Sequence, residues 1–241
     1  MEIQSIFALT LTVIFFSEVH SARFTLENHC AFTIWPGILA GSGKPVLSGF
    51  ELVSQASSTL DISPPWSGRM WARTNCATNA FGKFTCATGD CGAPGMECNG
   101  AGGTPPASLV EFTLAENGGQ DFYDVSLVDG FNLPLSITPQ GGTGTCPSTS
   151  CPKNVNLACP LELVVKDSAE SVIACKSACL AFNQPQYCCT GDFRLPETCS
   201  PTTYSKIFKD QCPQAYSYAY DDKSSTFTCT GGANYVITFC P

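Results

Sequence analysis

Histidine is nearly absent: the 241-residue chain holds two, His20 and His29. His20 falls within an N-terminal export segment, and His29 sits beside Cys30 in a strand-like stretch, so histidine-dependent catalytic relays are disfavoured. The sixteen cysteines lack the repeated C-x2-C spacing of tetrahedral zinc sites. No metal or other cofactor is expected. Positive charge is also scarce, with 12 Lys+Arg against 20 Asp+Glu and a formal net charge of −8. Such a chain gains nothing from polyphosphate and is repelled by anionic lipid, which disfavours nucleic acid and membrane surfaces as partners. There is no N-x-S/T acceptor for N-glycosylation and no internal repeat.

Long apolar runs are missing except one. Ile6 to Phe16 is uncharged and strongly apolar, yet too short to span a bilayer. Small residues at Val19 and Ser21 follow it, which is the layout of a secretory signal peptide over residues 1–21 without the usual basic start. Glu2 and Glu18 leave with it, so residues 22–241 carry 12 basic and 18 acidic side chains, a net charge of −6. The ending Cys240-Pro241 carries no retention signal, and the expected destination is extracellular, as a monomer with no stable membrane anchor. All sixteen cysteines lie beyond the cleavage site, and an even number in an exported chain reads as eight disulfides. Each such cross-link stabilises by about 2–4 kcal/mol, not strictly additively.

What is present is mostly strand. Phe24 to Glu27, Phe32 to Ile34, Leu52-Val53, Ser58 to Ile62, Met70 to Thr74, Leu109 to Leu114, Phe122 to Val128, Leu133 to Ile137, Phe227 to Cys229 and Tyr235 to Phe239 are short apolar-rich runs. Gly, Pro and Asn separate them, which predicts a mainly β protein, a sandwich or barrel. Two stretches differ in style. Cys76 to Cys98 packs four cysteines among Gly, Thr and Asn. Cys151 to Cys212 is again cysteine-rich and holds the one convincing helix pattern, Glu170 to Phe182, with Asp167 or Ser168 as N-cap. In that helix Cys175 and Cys179 would face one side. The expected organisation is one domain over 22–241. Its sandwich core covers about 22–75, 109–150 and 213–241, with a small looped lobe at about 76–108 and a helical disulfide-rich lobe at about 151–212.

One hairpin draws the acids together. Glu116 to Asp121 is a turn between two strands, the first with Val110, Phe112 and Leu114 on one face and Glu111 and Thr113 on the other. The second strand sets Tyr123, Val125 and Leu127 against Asp124 and Ser126. A symmetric turn brings Glu111 and Asp124 opposite or diagonal, with Cβ atoms roughly 5–8 Å apart. Asp129 follows at the strand end. Like charges so placed cost stability unless a cation or a function offsets them, and otherwise they are simply solvated surface acids.

The segment Gly82 to Cys91 (GKFTCATGDC) closely resembles the defining motif of the thaumatin-like family, pathogenesis-related group 5, departing from it at Ala93-Pro94. Trp71 to Cys76, Leu109 to Phe112, Asp124 to Asn132, Tyr187 to Cys189, Ala215 to Tyr218 and Thr238 to Pro241 resemble the family as well. The resemblance implies a flattened β-sandwich and the pairing Cys30–Cys240, Cys76–Cys86, Cys91–Cys98, Cys146–Cys229, Cys151–Cys212, Cys159–Cys175, Cys179–Cys188 and Cys189–Cys199. Spacing alone does not select that pairing. The resemblance further implies an acidic cleft of Arg69, Glu111, Asp124, Asp129 and Asp221, with Asp222 as the alternative to Asp221 and Arg73 as the alternative to Arg69.

By the same resemblance the expected function is secreted antifungal defence, binding the β-1,3-glucan of fungal cell walls in the apoplast. The alternative is a weak endo-β-1,3-glucanase using Glu111 with Asp129 or Asp124, Glu111 being the expected proton donor. Sweet-tasting members of the family are basic, unlike this chain, and nothing in the sequence selects an enzyme-inhibitor role. Stable members are often allergens, a consequence of resistance to digestion.

Overall fold

In the computed structural model, residues 21–43 and 46–241 are described; the export signal read over 1–21 lies outside them except for Ser21. Alternating side chains and frequent turns give thirteen strands among the described residues. They are β1 (Ala22–Asn28), β2 (Trp35–Ser42), β3 (Ser57–Ile62), β4 (Trp66–Thr78), β5 (Phe84–Thr88), β6 (Leu109–Leu114), β7 (Asp121–Ser126), β8 (Leu135–Gln140), β9 (Thr149–Cys151), β10 (Val164–Lys166), β11 (Val172–Cys175), β12 (Phe227–Cys229) and β13 (Asn234–Phe239). One sheet has the order β3-β1-β13-β8-β9 and a second the order β12-β7-β6-β4-β2 with β5 paired to β4. The two pack face to face as a mainly β sandwich.

The core between them follows from strand alternation. Phe24, Leu26, Tyr235, Ile237 and Phe239 point inward from the first sheet, and Met70, Val110, Phe112, Tyr123 and Val125 from the second. Rings interlock across the gap: Phe24 meets Phe112 at 4.8 Å between centroids, and Tyr235 meets Phe112 at 5.0 Å and Tyr123 at 5.5 Å. Edge-on and tilted contacts of this kind add to the area that the rings bury. One polar link crosses with them. The Tyr235 hydroxyl donates to Asp121 Oδ2 at 2.7 Å, while Ala115 N donates to Asp121 Oδ1 at 2.8 Å.

Two disulfide-stapled lobes flank the sandwich. Near 76–108, β5 and the bridges Cys76–Cys86 and Cys91–Cys98 fold back over the outer face of β4. There Trp71 points outward yet is fully buried, its indole N–H donating to the Gly89 carbonyl at 2.8 Å. Gly37 and Gly103 press on the indole so closely that a Cβ at either would lie 2.5 Å from it. The second lobe holds the β10–β11 hairpin, α1 (Ala178–Phe182), α2 (Pro185–Cys188) and α3 (Thr203–Gln211). A last short helix, α4 (Asp222–Ser225), returns the chain to the sandwich. Cys151–Cys212, Cys159–Cys175, Cys179–Cys188 and Cys189–Cys199 bridge the second lobe, while Cys30–Cys240 and Cys146–Cys229 close the sandwich. No cysteine is free.

Three local expectations are corrected. The segment 170–182 is not one helix. Asp167 accepts from Ala169 N and Ser171 N, and Glu170 takes a φ of 63°, so 167–171 is a hairpin turn. Val172 to Cys175 then pairs with Val164 to Lys166, and a helix begins only at Ala178, capped by Ser177. Cys175 and Cys179 therefore sit on different elements. α3, the longest helix among the described residues, has no counterpart in the expected elements; Thr202 and Ser205 form its capping box. Phe32 to Ile34 is no strand: Ile34 makes a single bridge to Leu52, and the Asn28 amide holds the Phe32 and Leu52 carbonyls at 2.9 Å each.

Removing the cross-sheet hydroxyl tests how the sheets are tied. Tyr235→Phe leaves a buried carboxylate short of a donor and is expected to cost about 1.5–3 kcal/mol in denaturant unfolding at pH 7 with an unchanged m-value.

Candidate functional site

The strand register of the six-stranded sheet builds one charged row. Leu39 pairs with Arg69, Arg69 with Glu111, and Glu111 with Asp124, across β2, β4, β6 and β7. Because Met70, Val110 and Val125 point into the core, their neighbours in this row point outward. Side chains directly opposite have Cβ atoms about 4.5–5.5 Å apart, so the guanidinium and both carboxyls share one short stretch of surface. On one side runs the row of Trp71, Leu109 and Ser126, the first two covered by the small lobe. On the other runs the row of Ser67, Thr113 and Phe122.

The far wall comes from the chain after β7. A turn closes with Gly130 N on the Leu127 carbonyl at 2.9 Å and aims Asp129 at the row, its Oδ2 lying 3.8 Å from Arg69 Nη1. Gly130 has a φ of +89°, and a Cβ there would come 2.6 Å from the Cys175 carbonyl. That close approach lets Phe131 and Cys175 exchange backbone hydrogen bonds at 2.8 Å, seating the helical lobe against the turn. Tyr216 lies alongside β7, its N–H on the Val125 carbonyl and its carbonyl accepting from Leu127 N. The result is a groove of two continuous concavities, about 360 and 380 Å³, that share Arg69, Glu111 and Asp124. Both fall in the 300–1,000 Å³ range of small-molecule sites.

Burial dominates the electrostatics. Asp124 is pushed up to about 8 by loss of water, then by the charges of Glu111 and Asp222. Its Oδ1 is fully buried and has no hydrogen-bond partner among the described residues. Glu111 is also raised, by burial first; Arg69 and the Ser126 hydroxyl pull it back, while Asp129 adds to the rise. Burial likewise raises the Tyr216 phenol, which donates to Asp222 Oδ1 at 2.8 Å and contacts the Thr226 hydroxyl. At neutral pH the groove thus offers a proton on Asp124 beside acceptors on its neighbours.

Of the residues named from the sequence, the structure brings Arg69, Glu111, Asp124 and Asp129 together and leaves Asp221 out. The Asp221 carboxylate takes the Lys209 ammonium at 2.9 Å and accepts from Ser217 N, Ser217 Oγ and Ser224 Oγ, turned away from the groove. The carboxylate on the groove wall is that of Asp222. Arg73 is also excluded: it is fully buried, donating to the Trp35 and Pro36 carbonyls and lying 5.4 Å from the Phe84 ring centre. The stronger upward shift belongs to Asp124 rather than to Glu111, because Arg69 faces Glu111 and Asp124 has no cation opposite it among the described residues. Tyr216, Ser126 and Phe122 also line the groove, none of them among the cleft residues expected from the sequence. Strict alternation in β7 was the available signal for the last two.

The Asp124 shift makes a pH prediction. In the unfolded chain an aspartate titrates near 3.9, so the native state binds this proton more tightly. Stability from it is fully present below about pH 4 and lost as pH rises through about 8. Asp124→Asn is expected to match the wild type at pH 4 and to exceed it at pH 8 by about 2 kcal/mol or more. Glu111 and Asp121, both raised by burial, leave a residual slope in the variant. Unfolding in guanidinium chloride across that range, with disulfides intact, measures it; parallel curves would contradict the assignment.

Comparison with known proteins agrees with this architecture. The family model described as Thaumatin family matches residues 28–241. Thaumatin-like protein 1a of Malus domestica is 62% identical over 242 residues, covering 100% of this chain and 98% of its own. A Prunus avium protein named glucan endo-1,3-beta-glucosidase is 59% identical over 238 residues, covering 98% of this chain and 97% of its own. Among solved structures, a laminaripentaose-producing beta-1,3-glucanase in complex with laminaritetraose superposes with a TM-score of 0.63. It covers 92% of this chain and 99% of its own at 12% identity, a likeness of fold alone. Matched along nearly its whole length by the family model and by relatives this similar, the chain belongs to the thaumatin family.

Proposed function

We propose that this protein is an extracellular antifungal defence protein whose acidic groove binds the β-1,3-glucan of fungal cell walls. The observation that carries the reading is the half-buried row Arg69, Glu111, Asp124 on the groove floor, rimmed by Asp129 and Asp222. A neutral polysaccharide presents hydroxyls that both donate and accept. Carboxylates accept from them, and the protonated Asp124 and the Arg69 guanidinium donate. An anionic polymer would be repelled by the same acids. The name carried by the Prunus avium relative and the ligand named for the solved glucanase support a β-1,3-glucan as the polymer. Eight disulfides suit an oxidising, extracellular setting, and no helix among the described residues is long and apolar enough to cross a membrane.

One observation favours a second reading, slow endo-cleavage of the same glucan. Asp124 holds a proton at neutral pH directly opposite Glu111, with Asp129 at the end of the row, so a proton donor and two further carboxyl groups share the groove. In that reading Asp124 protonates the leaving oxygen, and Glu111 or Asp129 serves as nucleophile or base.

A parallel assay of bound protein and released reducing ends on insoluble and soluble β-1,3-glucan separates the readings. Wild type is expected to bind, and Glu111→Gln to bind about tenfold more weakly through loss of a carboxyl acceptor. Reducing ends released by the wild type and lost in Asp124→Asn, with binding kept, establish cleavage. Binding with no release establishes recognition alone, and absence of binding by the wild type overturns both.

A further inference from the structure

We infer that the groove continues past the acids into a second carbohydrate subsite, in which Phe122 is the platform on which a further sugar ring of the same glucan stacks. This rests on the glucan-binding reading above and extends it to a specificity-determining residue. Phe122 occupies the outward row next to the charged one, in register with Thr113 and Ser67 on one side and Thr228 on the other. Its strand neighbours Asp121 and Tyr123 are buried, yet Phe122 itself is 45% exposed. An aromatic ring on the outer face of a central strand forgoes the burial that favours rings in cores. Of the exposed large apolar side chains among the described residues, Phe122 is the one that lines the groove; Phe81, Leu157 and Leu161 lie outside it.

The surroundings of the ring suit a pyranose. Ser67, Thr113 and Thr228 are small, so the ring stands above a low floor, and Gly41 keeps that floor open beyond Ser67. Leu39, in register with Arg69 on β2, closes the far side of the groove three strands from the ring. A β-linked glucose has an apolar C–H face and a rim of equatorial hydroxyls. The face would lie on the Phe122 ring and the rim would meet the Thr113 hydroxyl one strand away, while Ser67, two strands away and bonded to the Ser42 hydroxyl at 2.8 Å, edges the floor farther along. Phe122 and Asp124 are two residues apart on one strand and point the same way, about 6.6–6.8 Å apart along it. A chain that puts one unit over the acids therefore brings a neighbouring unit over the ring. The charged half of the groove selects for hydroxyls and the Phe122 half for length.

Length dependence is the test. Affinities of wild type, Phe122→Ala and Phe122→Trp are measured by calorimetry for β-1,3-linked glucose oligomers of two and of six units, with far-UV circular dichroism confirming the fold. Phe122→Ala is expected to bind the long oligomer about 5- to 10-fold more weakly and the short one nearly as wild type does. Phe122→Trp is expected to keep the long-oligomer affinity and to show a tryptophan emission change on binding beyond any shown by wild type. Equal losses for both lengths, or no loss with no emission change, overturn the subsite while leaving the glucan reading intact. Failure of wild type to bind either oligomer overturns the glucan reading and the subsite with it.

Discussion

The structure depends on the pairing of the chain's two described ends. β1 and β13 run parallel at the centre of the five-stranded sheet, Phe24 opposite Tyr235 through Asn28 opposite Phe239. Parallel neighbours cannot be joined by a tight turn, and here everything between them is the connection. Closing so long a loop is slow and entropically costly. The bridge Cys30–Cys240, 210 residues apart in sequence, offsets that cost by about 5 kcal/mol in the chain-entropy picture. The closure reaches the groove through few steps. It fixes Tyr235, whose hydroxyl holds Asp121 at the start of β7, and three residues along β7 stands Asp124.

Around that frame the groove is an arrangement of tolerated costs. Glu111 and Asp124 face each other on a half-buried surface where like charges destabilise. Arg69 opposes only one of them, and Asp124 answers by keeping its proton instead of its charge. The rigid elements that hold this tension are the two stapled lobes. The small lobe buries Trp71 and Leu109 on one flank of the charged row. The helical lobe, docked through Phe131 and Cys175, supports the turn that carries Asp129.

How much could be read in advance follows from which interactions are local. The faces of β6 and β7 were legible because Val110, Phe112 and Tyr123 alternate strictly with Glu111, Thr113 and Asp124. The opposition of Glu111 and Asp124 was then a matter of turn symmetry. Trp71 was not legible as a lobe contact, since Met70, Trp71 and Ala72 form one apolar run with both faces covered. Helical spacing over 170–182 was overridden by the Asp167 turn, the β-branched Val172 and Ile173, and the Cys159–Cys175 bridge. Asp221 and Asp222 are adjacent, and side chains that sequence adjacency does not show, Lys209 and Ser217 for Asp221 and Tyr216 for Asp222, decide which one faces the groove. Disulfide partners are set by the fold, and neither spacing nor composition contains them.

The central claim is that a neutral glucan lies along the outer face of β4, β6 and β7, over Arg69, Glu111 and Asp124. The most direct measurement is amide and side-chain NMR of the 15N,13C-labelled mature protein titrated with a β-1,3-linked glucose hexamer. The account predicts shifts concentrated at Arg69, Glu111, Asp124, Ser126 and Asp129, with intermolecular contacts to those side chains. Shifts confined to the helical lobe or to the β4–β5 hairpin, with this row unmoved, would contradict it.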